Sequence, residues 1–232
     1  MKVVILQSNY LPWKGYFDLI HDADVFIFYD EVKYTKNDWR NRNKIYSKNG
    51  LHWLTIPMDK NAVKQKISEV RMKSDSWQKL HFDTLYMSYK GASYFRQIER
   101  FMVDIYRDKK WESLSALNQY CVLEISRYLG IATRFYNSKD FKLIDGRIER
   151  LIDLLVQVGA TQYISGPSAK DYLSGSEHLF SDRNIGLTFK DYTGYPAYSQ
   201  LSTPFENFVS IIDLMANVNK DEISNYIWRW RH

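Results

Sequence analysis

A chain of 232 residues and 27.7 kDa is long enough to bury a sizeable core, as one large domain or a domain with a helical appendage. Its formal charge of +5, from 32 Lys and Arg against 27 Asp and Glu, is interspersed rather than blocked, which excludes a polybasic tail, suits an anionic ligand and leaves a nucleic-acid partner permitted but not demanded. The single cysteine, Cys121, rules out an intramolecular disulfide, while the short apolar start and the lack of any run near ~20 apolar residues point away from a signal peptide or a membrane span and toward the cytoplasm.

Val3-Val-Ile-Leu6 is an apolar, β-branched run with the look of a buried strand, and Tyr16-Phe-Asp-Leu-Ile-His21 opens a helix. Between them lies Gln7-Ser-Asn-Tyr-Leu-Pro-Trp-Lys-Gly-Tyr16, a turn containing Pro12 and Gly15. A strand, a turn and a helix in that order is where α/β proteins place ligands, because N–H groups at the helix start face the open sheet edge. Gln7, Asn9, Tyr10, Trp13, Lys14 and Gly15 are therefore candidate binding residues. A second buried run, Val25-Phe-Ile-Phe-Tyr29, is closed by Asp30 and Glu31. Asp30, at a strand's carboxyl end, is a candidate general base, against the blander reading of an exposed acidic turn.

Downstream, Lys33, Lys36, Arg40 and Arg42 are interleaved with Tyr34, Trp39, Asn41 and Asn43. Charge, planar stacking and amide donors packed into so few residues suit phosphate or sugar binding, so Lys33, Lys36, Trp39, Asn41, Arg42 and Asn43 join the binding candidates. Nucleotide, nucleotide-sugar and RNA all remain open as ligands. Trp53-Leu-Thr-Ile-Pro57 is an expected strand, as is the alternating Ile67-Ser-Glu-Val-Arg71.

From Trp77 to Leu129 the apolar spacing becomes helical and predicts three helices in a row, with 76–130 a helical insertion or lid within a single domain spanning 1–232. Cys121 falls in the third of them, where buried packing is its expected role. Gly130 closes that helix, and Thr133-Arg-Phe-Tyr136 is a short strand. An amphipathic helix over Ile148 to Val158 leads to the strand Gln162-Tyr-Ile-Ser165 and a second strand-to-helix turn, Gly166-Pro-Ser-Ala-Lys170. Ser165, Gly166 and Ser168, the last as N-cap, would bind an anion there, with Lys170 a candidate catalytic cation. A strand at Leu187 to Asp191, a loop at Tyr195 to Leu201 and closing helices at Phe208 to Met215 and Ile223 to Trp230 complete the chain. The five histidines show no metal-ligand spacing, so no metal is expected.

Trp13-Lys-Gly-Tyr16 has the spacing of the His-x-Gly-His signature of the nucleotidyltransferase and class I aminoacyl-tRNA synthetase superfamily. Ile164 to Lys170 is similar to that superfamily's second phosphate-binding turn. This resemblance implies a Rossmann-like, HUP or nucleotidyltransferase-like parallel sheet. An indole and a phenol stand where the imidazoles would be; Tyr16 is a candidate catalytic donor, but neither ring carries positive charge, so ordinary adenylylation is not expected.

Taken together, Gln7-x-x-Tyr-Leu-Pro-Trp-x-Gly-Tyr-Phe17, Trp39-x-Asn-Arg-Asn43, Trp53-Leu-Thr-Ile-Pro57, Leu129-Gly-Ile131, Tyr163-Ile-Ser-Gly-Pro-Ser168, Tyr195-Pro-x-Tyr-x-Gln-Leu201 and Ser210-Ile-Ile-Asp-Leu214 closely resemble the WbqC-like family of bacterial proteins over nearly the whole length. Lys33 departs from the pattern, in which glutamine is usual before the aromatic. The resemblance implies a place in the biosynthesis of O-antigen, the lipopolysaccharide side chain, and other surface polysaccharides. The expected function is a transferase acting on a nucleotide-activated sugar, moving an acyl or aminoacyl group onto a sugar amine, with acyl-CoA or charged tRNA as donor. No resident cofactor is evident beyond a nucleotide-containing donor or acceptor. The alternatives are a non-catalytic nucleotide- or RNA-binding module, or a nucleotidyltransferase with a degenerate His-x-Gly-His motif.

Overall fold

The structure is a computed structural model and describes residues 1–231. Its first strand, β1 (Lys2–Leu6), runs through the turn at Gln7 to Trp13 into α1 (Lys14–His21), then β2 (Val25–Phe28). An antiparallel hairpin comes after it, β3 (Arg42–Ser47) and β4 (Gly50–Thr55), with Asn43 opposite Leu54 and Ile45 opposite His52. Three helices come next: α2 (Ser76–Tyr89), α3 (Phe95–Val103) and α4 (Leu114–Tyr128). The chain then alternates: β5 (Arg134–Asn137), α5 (Arg147–Gln157), β6 (Gln162–Ser165), the short α6 (Lys170–Leu173) and α7 (Glu177–Ser181), and β7 (Gly186–Phe189). A strap of about twenty residues without helix or strand leads to α8 (Ile211–Asn217).

Strands β1, β2, β5, β6 and β7 form one parallel sheet in the order β5-β2-β1-β6-β7, with Val3 level with Val25 on one side and with Tyr163 on the other. The fold class is therefore α/β. From β1 the chain fills one side of the sheet and then returns to fill the other. The reversal falls between β1 and β6, so their carboxyl ends flank the crevice in which open parallel sheets bind ligands.

Parallel strands are buried on both faces, and each face here has its own core. Val3, Ile5, Val25 and Ile27 pack with Leu151, Leu155 and Phe180. Val4, Phe26 and Phe28 face the other way, against Phe17 and Ile20 of α1, Leu117 and Ile125 of α4 and Leu214 of α8. Helices α2, α3 and α4 are thus built into the same cluster as the sheet, and Cys121 is fully buried within it.

Two expected elements differ. Ile67 to Arg71 is not a strand: Ile67–Glu69 is a 3₁₀ turn, in which Lys66 N–H donates to Glu69 Oε2 at 3.1 Å and Ile67 and Val70 are buried. That three-residue spacing is the eclipsed repeat of a 3₁₀ helix rather than the period of a strand. The final helix is replaced by 3₁₀ turns at Lys220–Tyr226 and Arg229–Arg231. No helix among the described residues is long and apolar enough to cross a membrane.

Candidate functional site

At the end of β1, the turn is shaped by one strained residue and one close approach. Leu11 sits at φ 40°, in the left-handed region that costs an ordinary side chain about 1 kcal/mol or more. Asn43, from β3, holds it there: its Nδ2 donates to Leu11 O at 2.7 Å and to Tyr10 O at 3.2 Å. Gly15 is required because the Trp13 indole folds back over the helix start; a Cβ at Gly15 would collide with the ring. The turn is also knitted to distant chain, with Tyr10 N–H donating to Trp39 O at 3.0 Å and Ile211 N–H to Pro12 O at 2.9 Å.

This arrangement opens a groove of about 170 Å³ lined by Asn9, Pro12, Trp13, Trp39, Asn43 and Phe208. Three rings make its walls: Trp13 packs on Phe208 at a centroid distance of 5.3 Å, and Trp39 is 43% exposed. Arg40 stands beside it, its guanidinium donating to Asn9 Oδ1 and, at 3.3 Å, to Gln7 Oε1. Asp38 lies 3.5 Å from the same guanidinium. Burial pushes the Asp38 carboxyl up, but Arg40, the Thr35 hydroxyl and the Trp39 N–H more than offset this, leaving it below its ordinary range.

The two strand-to-helix turns face one another across Tyr192. Its ring meets Trp13 edge-on at 5.0 Å, and its hydroxyl lies 3.7 Å from where a Cβ on Gly166 would stand. The strap that carries Tyr192 also covers Lys14. That residue is 2% exposed; its Nζ donates to Pro196 O at 3.3 Å and faces the rings of Tyr195, Tyr198 and Phe205 at 4.9, 5.4 and 5.7 Å. Burial lowers its pKa to about 8, against the opposing pull of Asp213 and Asp18. Those carboxylates are themselves occupied. Asp18 accepts from Lys190 at 2.8 Å and Arg231 at 2.7 Å, and Asp213 accepts from Tyr198, Gln200 and Tyr89. Burial nevertheless raises the Asp213 pKa.

At the neighbouring end of β2, Asp30 is 3% exposed. Its Oδ1 accepts from Ser8 N–H at 2.8 Å, and its Oδ2 from the Ser115 hydroxyl and from Gln119 Nε2 at 3.0 Å. A carboxylate so fully hydrogen-bonded is fixed in orientation and held as an acceptor. It lines a second cavity, also about 170 Å³, at the carboxyl ends of β2 and β5.

Of the residues singled out in the sequence, Asn9, Trp13, Trp39 and Asn43 come together in the groove, and Gln7 joins them through Arg40. Others stand elsewhere. Tyr10 is fully buried, its hydroxyl bonded to His81 Nδ1 at 2.8 Å and to Tyr106; burial lowers the His81 pKa to about 4. Tyr16 is 2% exposed and donates inward to Gln7 O at 2.9 Å. Asn41 spends its amide on Ile56 O at 2.8 Å. Arg42 stacks on Trp53 at 4.3 Å outside the groove, and Lys33 and Lys36 are exposed. Ser165 receives the Tyr163 hydroxyl at 3.2 Å. Ser168 is not an N-cap: Gly166 holds that position before Pro167, and Ser168 and Lys170 are exposed. Phe208, Tyr192, Ser115 and Gln119 carried no local signal, because each reaches the sheet rim from a remote segment.

Residues 7–225 match the WbqC-like protein family. The chain belongs to the WbqC-like family. It is 46% identical over 221 residues to the uncharacterized protein Rv1507c of Mycobacterium tuberculosis, with 95% of each chain covered. No solved structure matches. The groove, the Asn43-held turn and the Asp30 cavity all lie within the span that matches the WbqC-like family.

Proposed function

We propose that this WbqC-like protein is a transferase of bacterial O-antigen and surface polysaccharide synthesis, acting on a nucleotide-activated sugar on a Rossmann-like sheet. The observation that carries the reading is the groove beside the switch point, walled by Trp13, Trp39 and Phe208 with Asn9 and the Arg40 guanidinium at its edge. Planar rings at that spacing suit a nucleobase or the apolar face of a sugar, with stacking worth about 1–3 kcal/mol per base. A guanidinium at the rim suits a phosphate. The transferred group is an acyl or aminoacyl unit delivered to a sugar amine from acyl-CoA or charged tRNA.

Nucleotidyl transfer is disfavoured by the placement of Tyr16, whose hydroxyl is committed to Gln7 O, and of Lys170, exposed with its Nζ over Phe189 at 5.5 Å. Removing one fixed donor to developing charge can cost about 10²–10³ in rate. Titration with UDP-, GDP- and dTDP-sugars, read by quenching of groove tryptophan fluorescence, tests the binding reading. Saturable quenching that is lost in Trp39→Ala is expected; no response to any of the three would overturn it. Incubation with nucleoside triphosphates and sugar phosphates is expected to release no pyrophosphate above background.

A second reading, an RNA-binding face, is favoured by the exposed pair Trp39 and Trp53, 5.7 Å apart, with Arg42 stacked upon it.

A further inference from the structure

The cavity at the carboxyl ends of β2 and β5 shares no lining residue with the aromatic groove. Its walls come from strand ends and from the start of α4: Asp30 and Glu31 after β2, Asn137 and Ser138 at the end of β5, and Ser115 and Gln119 on the helix. Several of these side chains are fixed before any ligand arrives. Gln119 Nε2 donates to both Asp30 Oδ2 and Ser115 Oγ at 3.0 Å, and Ser115 donates to Asp30. Ser138 is different. It is 1% exposed, lines the cavity and stands outside the hydrogen bonds that join Asp30, Ser115 and Gln119. A hydroxyl that borders a cavity without a protein partner can both give and accept a bond there.

The charge balance narrows what that something is. Two carboxylates oppose an anion. A cation finds little free valence, because Asp30 accepts at both oxygens, Glu31 pairs with Lys66 at 3.1 Å and the lining includes Lys139. What remains are a serine hydroxyl and an asparagine amide, which both donate and accept, and the second oxygen of Glu31, which accepts. Vicinal hydroxyls of a neutral ring match that set, each giving and receiving one bond.

We propose that this cavity is a second binding site, specific for a neutral polyhydroxylated ring such as a monosaccharide unit, held by Ser138, Asn137 and Glu31 against the Asp30–Gln119 platform. The site stands whether or not the aromatic groove binds a nucleotide. Saturation-transfer difference NMR on the full chain, with the methyl glycosides of glucose, galactose and N-acetylglucosamine as probes, tests it. Transfer from at least one glycoside is expected, weakened ~tenfold or more in an Asn137→Ala, Ser138→Ala double variant. Lys139→Trp, made at an exposed position on the cavity wall, should block the same signal without touching the fold and serves if the double variant does not fold. Absence of transfer from all three glycosides, survival of the signal in both cavity variants, or its displacement by inorganic phosphate would overturn the assignment.

Discussion

Asn43 spends a single amide nitrogen on two carbonyls, those of Tyr10 and Leu11, and so holds the one turn in which Leu11 adopts φ 40°. Asn9 and Trp13 flank that turn and line the groove. Asn43 therefore acts on ligand binding chiefly through the backbone it fixes. Its Oδ1 is also occupied, accepting from Lys44 N–H at 2.8 Å.

Asn43→Ala should leave two buried carbonyls without their donor beside a backbone already strained, and destabilise the fold by ~1–3 kcal/mol in urea denaturation. Asn43→Asp restores the shape and the acceptor but not the donor, so it should fail to rescue. Unchanged midpoints in both variants would show that the turn holds itself.

Trp39 presents the opposite case. With 43% of its surface exposed, Trp39→Ala should change stability little, within about 0.5 kcal/mol. Its stacking contribution to a bound nucleotide-sugar should nevertheless disappear, weakening binding by ~1–3 kcal/mol. Calorimetric titration and thermal melts on the same samples separate the two quantities. Equal affinity in variant and parent would remove Trp39 from the groove's function.

Arg42 discriminates between a small ligand and RNA. Its guanidinium lies over Trp53 and donates to Asn37 O at 2.5 Å, outside the groove lining. A single-stranded RNA gripped through Lys33, Lys36, Arg40 and Arg42 should show a slope of log affinity on log salt of about −0.7 per phosphate contact. Arg42→Ala should then flatten it by one contact. A nucleotide-sugar in the groove should show a shallow slope that Arg42→Ala leaves alone.

Much of this rim could be read from the sequence, for a physical reason. Strands buried on both faces are written as unbroken apolar runs, so Val3 to Leu6 and Val25 to Phe28 announced adjacent strands, and the polar residues after each run had to emerge at the sheet edge. The hairpin strand Arg42 to Ser47 was not legible. Its inward residues are Asn43 and Ile45, and an asparagine that serves as a backbone partner looks polar in any hydropathy pattern. Tyr10 and Tyr16 misled in the converse way: phenols suggest a wet site, but here their hydroxyls find partners within the core. Phe208 reaches the groove through pairings between remote segments that no local window contains, Ser210 N–H donating to Lys44 O at 2.8 Å and Ile211 N–H to Pro12 O at 2.9 Å.

Lys14 carries a pH signature of its own. Burial among three rings lowers its folded pKa to about 8, whereas a lysine in the unfolded chain titrates near ~10.4. Between those values the unfolded state binds the extra proton, so this residue's contribution to stability rises with pH across the window from about 8 to ~10.4 and is flat on either side. Below pH ~8 the buried charge is a standing cost. Cys121 acts in the opposite sense, since burial holds its thiol protonated while an unfolded thiol ionises near ~8.5. The profile of the parent protein alone would therefore mix the two. Subtracting the unfolding free energies of Lys14→Met from those of the parent cancels Cys121 and isolates the lysine. The difference should climb from pH ~8 to ~10, with Lys14→Met the more stable protein at pH 7 and losing its advantage in alkali. A difference that is flat across that window would mean that Lys14 keeps an ordinary pKa, and that the rings and the Pro196 carbonyl above it solvate the ammonium as well as water does.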